Sequence, residues 1–265
     1  MTSLRRFLLL GALALTQLGC GGGAPCAGSG ESASCTRVLF VGNSYTFVND
    51  LPGMFTALAA SGGRHVQAGM AAVGGARLAD HVSSSGTAAA LASARWSVVV
   101  LQEQSQIPAD AALRERQMVP AATELVRRVH AAGAAPLFFV TWAHRDGWPE
   151  DGLADYAAMQ AAVDNGYLAV AREQHAGVAP VGYAWWTVVS QNPAAGLWQD
   201  DGSHPTVAGT YLAACVFYAT VFGRNPKGLD YRADLPAEEA ATLQEVAAKI
   251  VLTDPASWGL PAAKP

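Results

Sequence analysis

Charge is scarce in this sequence: only 14% of its 265 residues are Asp, Glu, Lys or Arg. Its 17 basic residues gather into nothing longer than pairs such as Arg127-Arg128, and 21 acidic residues bring the formal charge to −4. Without a basic stripe there is no electrostatic footprint for a phosphate backbone, which argues against a nucleic-acid partner. The apolar run at 7–15, "FLLLGALAL", is too short to span a bilayer. No stretch reads as a long apolar lid. Cysteine is sparse, with four residues, and Cys215 sits in an apolar helical pattern that reads as core. What the chain has is bulk apolar content: 51% of it is hydrophobic, enough for a full core and contrary to disorder.

The N-terminus reads as a processing segment. Arg5 and Arg6 precede the apolar run, which ends in "TQLGC". This arrangement resembles a bacterial lipoprotein signal, with Gln17 at a position usually held by Leu. The resemblance implies cleavage after residue 19, lipidation of Cys20 and anchoring at the bacterial cell envelope. An ordinary secretory signal would instead give a secreted protein. Residues 20–36 read as a Gly/Ser-rich flexible tether and 37–265 as the folded domain. Cys26 and Cys35 flank the tether, where an exported chain allows a disulfide.

From residue 37 onward, apolar strand-like runs alternate with longer helical patterns. The strands are expected at 37–42, 65–70, 96–102, 135–141 and 177–182. Helices are expected near 51–61, 109–132, 153–175, 206–222 and 237–252. "SVVVL" and "PLFFV" lack polar alternation, as strands covered on both faces do. The alternation predicts a parallel sheet between two helical layers. Ligands of such sheets bind beyond the carboxyl ends of the strands.

Those ends carry the chemistry. "GNSYT" follows the first strand, "AAVGGARLADH" the second, "QEQSQ" the third and "WAHRDGWPEDG" the fourth, while "DDGSHPT" opens the helix at 206. Serine becomes a nucleophile when a histidine, oriented by a carboxylate, takes its proton. Ser44 fits that role, because Gly42 permits a tight strand-to-helix turn. His204 fits the base and Asp201 the acid, with Asp200 as a rival. An acyl-transfer site also needs donors for the developing oxyanion. The Ser44 N–H, the Gly75 N–H and the Gln104 amide can supply them, with Gln102 as the alternative to Gln104. Asn43, Trp142 and Arg145 are candidate substrate contacts. His81 either lines the pocket or is a cap or surface residue. Asp201 and His204 have no evident third companion, so no metal site is expected.

"VLFVGNSYTF", "VGGA", "VVVLQEQS" and "DGSHPT" together resemble the four blocks of the SGNH (GDSL-type) hydrolase superfamily, and in particular a branch that carries "GNS". The likeness runs from residue 37 to about 222. It implies an α/β fold, a flavodoxin-like three-layer α/β/α sandwich on a five-stranded parallel sheet. It implies hydrolysis of O-acyl esters with no metal or organic cofactor. Ser44, Gly75, Gln104 and His204 fall on the superfamily's four named positions and Asp201 on its triad acid. Two residues depart from the pattern: Asn43 stands where Asp is usual, and Gln104 where Asn is usual.

The expectation is therefore an exported serine esterase. Its substrate would carry small acyl groups on a carbohydrate or similar polar scaffold. A longer-chain lipase or thioesterase, or a surface-anchored binding protein that keeps the fold without the catalysis, are the alternatives.

Overall fold

The computed structural model describes residues 35–261. The expected signal segment, most of the tether, Cys20 and Cys26 lie outside the described residues. Cys35 is disulfide-bonded, and Cys215 is free and buried. No helix among the described residues is long and apolar enough to cross a membrane.

Five strands, β1 (Thr36–Gly42), β2 (Val66–Ala72), β3 (Val98–Leu101), β4 (Ala135–Phe139) and β5 (Gly177–Ala179), pair in parallel in the order β2-β1-β3-β4-β5. After β1 come a single turn α1 (Ser44–Phe47) and then α2 (Leu51–Ser61). Helices α3 (Leu78–Ser83) and α4 (Ser85–Ala92) link β2 to β3. Between β3 and β4 a short α5 (Ala111–Leu113) runs through a wider π turn into α6 (Val119–Ala131). Then follow α7 (Tyr156–Glu173), α8 (Val181–Gln191), α9 (Val207–Phe222) and α10 (Ala237–Leu252).

Successive strand residues face opposite layers, and here both layers are apolar. Val38, Phe40, Val100 and Phe139 pack with α2, α8, α9 and α10. Leu39, Val41, Leu101 and Phe138 pack with α3, α6 and α7. This two-sided burial explains the unbroken apolar runs. Helix α9 shows the same logic: Tyr211 through Phe217 are all fully buried, so it is apolar around its whole circumference. The three-layer α/β/α sandwich and five-stranded parallel sheet expected from the sequence are what the chain adopts.

Several stretches differ from expectation. The fifth strand stops at Ala179 and not at 182, because Pro180 breaks the ladder and Val181 already opens α8. The β-branched and aromatic content of "VGYAWWTVV" hides that helix from a propensity reading. Packing decides it: Trp185 and Val188 are buried against the α9 layer. Helices α3 and α4, also unforeseen, are short and lack a clear apolar period. The third strand ends at Leu101, one residue before the expected end, and this matters for the site.

Candidate active site

The turn after β1 is built to hold Ser44 at the head of α1. A side chain at Gly42 would collide with Gln102 Oε1 and Thr46 Oγ1, so only glycine fits. Asn43 caps α1, its Oδ1 accepting from the Tyr45 N–H at 3.1 Å. Its Nδ2 donates to the Ala76 carbonyl at 3.0 Å, tying the turn to the loop after β2. Gln102 closes the knot. Its Oε1 accepts from the Asn43 N–H and from Thr46 Oγ1, each at 2.9 Å, and its Nε2 donates to Asn43 Oδ1 at 2.9 Å. Asn43 borders the cleft but is only 3% exposed, and its amide braces the turn. His81 is also buried and not at the surface. The Gly42 carbonyl can only accept. His81 Nε2–H therefore donates to it at 2.8 Å, and Thr87 Oγ1 donates to Nδ1 at 2.7 Å. Burial holds the His81 ring below the ordinary histidine range.

His204 Nε2 lies 2.9 Å from Ser44 Oγ, and His204 Nδ1 lies 2.5 Å from Asp201 Oδ2. A carboxylate can only accept, so Nδ1 carries the proton and Nε2 faces the serine as acceptor. The other oxygen of Asp201 accepts from the backbone N–H groups of Ser203 and His204, both at 2.9 Å. Gly202 has a φ of 67 degrees. That left-handed turn, open to glycine, lets one carboxylate reach all three donors. The His204 hydrogen bond, followed by those N–H groups, lowers the Asp201 carboxyl to about 2. Asp200, the rival acid, is exposed and makes no bond to the imidazole. The loop is fastened from below: Trp142 Nε1–H donates to the Ser203 carbonyl at 2.9 Å, and the Tyr45 hydroxyl pairs with Ser203 Oγ at 2.7 Å.

Three donors border the same cleft, of about 460 Å³. The backbone N–H groups of Ser44 and Gly75 make no hydrogen bond among the described residues. Gly75 has a φ of 68 degrees, a conformation costly for any side chain. Gln104 is the third. Its Oε1 accepts from the N–H groups of Gln106 at 2.9 Å and Ile107 at 3.2 Å. Those two donors fix the orientation of the amide. Its Nε2 is left with loose contacts, 3.4 Å to Ser105 Oγ and 3.3 Å to Gln106 Oε1. Gln102, the alternative donor, is fully buried beneath Asn43 and cannot reach the cleft. The strand ends at Leu101, so the alternation that would put residues 102 and 104 on one face does not extend that far.

Glu103, between them, is buried as well. Its Oε1 accepts from the Leu78 N–H at 3.0 Å and the Gln104 N–H at 2.7 Å, joining the Gly75 loop to the Gln104 segment. Its Oε2 has no partner among the described residues. Burial pushes the carboxyl up to about 7 from 4.5. The native state therefore keeps a proton that the unfolded chain releases near 4.5. Stability drains as pH rises from there toward 7, and the full penalty stands above it. Glu103→Gln keeps an acceptor and never ionises. Its melting temperature relative to wild type should rise between about pH 5 and about pH 8. A difference independent of pH would show that the wild-type carboxylate carries no such penalty.

Two further expected substrate contacts lie elsewhere. Trp142 is fully buried, stacked between Tyr45 at 4.6 Å and Trp185 at 4.2 Å, so it supports the site from within the core. Arg145 stands outside the cleft lining. Its backbone N–H donates to the Gly202 carbonyl at 2.7 Å, and its guanidinium lies against the Asp200 carbonyl and Asp146. It straps the loop of Asp201. The sequence identifies no partner for His144, yet it lines the cleft, with Nε2 3.0 Å from Ser105 Oγ. No spacing rule links positions 105 and 144; only the adjacency of β3 and β4 brings them together. Among the described residues, no group of His, Cys, Asp and Glu side chains could hold a metal ion.

No family model matches the chain, and no curated protein sequence matches it. Solved structures do. A protein from Slackia heliotrinireducens assigned as an SGNH hydrolase is 32% identical at a TM-score of 0.59, covering 71% of this chain and 100% of its own. A DUF4886 family protein from Bacteroides uniformis superposes at a TM-score of 0.68 with 18% identity, over 83% of this chain and 96% of that one. The acetyl xylan esterase AlAXEase shares the fold at a TM-score of 0.56 and 13% identity, over 70% and 99% of the two chains. With the first of these matched over its whole length, the chain belongs to the SGNH hydrolase superfamily.

Proposed function

We propose that the protein is a serine esterase that cleaves O-acyl esters through an acyl-enzyme. The observation that carries this reading is the unbroken relay from Ser44 Oγ through His204 to Asp201, with links of 2.9 and 2.5 Å, at the edge of a cleft bordered by unpaired N–H donors. Ser44 Oγ attacks the ester carbonyl while its proton passes to His204 Nε2. The carbonyl oxygen becomes an oxyanion held by the Ser44 and Gly75 N–H groups and the Gln104 amide. The intermediate collapses, the C–O bond to the alcohol breaks, and His204 returns the proton to the departing oxygen. Water then attacks the acyl-Ser44 ester, again giving a proton to His204. The carboxylic acid leaves and Ser44 regains its proton. Asp201 steadies the imidazolium at each stage without taking its proton.

Small acyl groups on a polar scaffold suit the cleft, whose lining residues bring hydroxyl, amide and imidazole groups to it. Export and a lipid anchor at Cys20 complete the proposal. Both rest on the N-terminal sequence. A fluorophosphonate probe tests the mechanism without knowledge of the substrate. It should label Ser44, and the label should vanish in His204→Ala. Labelling at another serine, or none in the wild type, would refute the assignment.

A further inference from the structure

The departing alcohol must sit beside His204 Nε2, because that atom returns the proton to it. This fixes which part of the cleft meets the alcohol. Around His204 stand Ser203, Tyr45, Ser105 and His144. The Tyr45 ring lies edge-on to the imidazole at 6.0 Å, its hydroxyl is 2.7 Å from Ser203 Oγ, and Ser105 Oγ is 3.0 Å from His144 Nε2. The other end, at Gly74, is flanked by Phe47 and Val73, which are 37% and 63% exposed. Those two apolar side chains stand outside the cleft lining, whose wall beside the base carries the polar groups.

The polar end is of a particular kind. Among the described residues, no Asp, Glu, Lys or Arg lines the cleft. Burial, opposed by the nearby Asp201 carboxylate and aided by His204, holds His144 below the ordinary histidine range, so at neutral pH the ring is largely uncharged. Hydroxyls and a neutral imidazole each donate and accept. Such a wall matches a ligand that also does both at several points. It supplies no formal charge to pair with a phosphate or a quaternary ammonium.

We infer that Ser105, His144 and the Tyr45–Ser203 pair form a binding subsite for a neutral, polyhydroxylated alcohol, so that the ester cleaved is an acylated sugar or polyol. This rests on the esterase reading above. The Ser105–His144 contact is the resting state of the subsite, and a substrate hydroxyl replaces it or joins it. A ligand hydroxyl lost from a site built to bond it leaves buried polar groups unpaired, which is how such a wall selects its substrate.

The test compares two esters of one acid, an O-acetylated monosaccharide and 4-nitrophenyl acetate, whose leaving group has no further hydroxyl. His144→Ala and Ser105→Ala should each lower kcat/KM on the sugar ester at least tenfold more than on the aryl ester, chiefly through KM. His144→Gln, which keeps a donor near the Nε2 position, should restore most of the loss. Ser105→Ala removes a single oxygen and so guards against a folding defect in the histidine variants. Equal losses on both esters would overturn the subsite and leave the esterase standing. A wild-type protein that cleaves neither ester and resists the fluorophosphonate would overturn both.

Discussion

Ser44→Ala lowers turnover by about 10⁶-fold on any ester the wild type cleaves, and His204→Ala does about the same, because nucleophile and base act as one unit. The double variant should lose no more than either alone. Ser44 Oγ makes its hydrogen bond to His204 and to no other described residue, so the fold should survive either change. Asp201→Asn is the sharper probe. The remaining oxygen can still accept from the Ser203 and His204 N–H groups, so the loop keeps its shape. The new amide nitrogen then faces His204 Nδ1 and cannot accept its proton. The imidazole adopts the opposite tautomer, Nε2 carries hydrogen toward Ser44, and turnover falls by about 10⁴-fold. Single-turnover kinetics on a chromogenic ester would read all of these. Near-normal turnover in Ser44→Ala would remove the mechanism.

The oxyanion donors give the second large effect, and the two glutamines must be separated by two measurements. Gln104→Ala removes a donor from the cleft and should reduce kcat by about 10²–10³-fold with KM little changed. Gln104→Glu should be at least as harmful, since it sets a negative charge beside a developing one. Gln102→Ala will also be nearly inactive, for a different reason. It strands the Asn43 N–H and Thr46 Oγ1 in a dry interior and takes one of two donors from Asn43 Oδ1. Each orphaned group costs about 1–3 kcal/mol, so this variant should melt well below the wild type. Activity alone would therefore confuse the two. A Gln104→Ala protein with wild-type stability and wild-type kcat would show that the backbone N–H groups suffice for the hole.

Strand ends and the residues just past them were legible in the sequence because each rests on a local rule. An apolar run buried on both faces, closed by Gly42 and a cap such as Asn43, can be recognised wherever it occurs. Asp201 and His204 are likewise a local pair, and the turn between them fits inside four residues. What escaped reading depends on long-range packing. Alternation continued past the third strand would point Glu103 away from its neighbours. The pleat has already ended at Leu101, and the carboxyl turns inward to two N–H groups, one of them 25 residues upstream. Trp142 lies in a polar loop and reads as an exposed ring; only the stack of Tyr45 and Trp185 shows why it is buried. His81 and His144 carry no signal in spacing, since their partners Gly42 and Ser105 are each 39 residues away.

The distribution of the relay along the chain has a consequence for biosynthesis. Base and acid are three residues apart, whereas the nucleophile precedes the base by 160. The turn that holds Ser44 leaves the ribosome early, together with the strand beneath it. His204 reaches it only when α9 and α10 can close the layer over β1. At about 5–20 residues per second, that gap amounts to roughly 10–30 seconds of synthesis. A nascent chain thus holds a serine with no base, and cannot turn on the esters around it until its last two helices have been made.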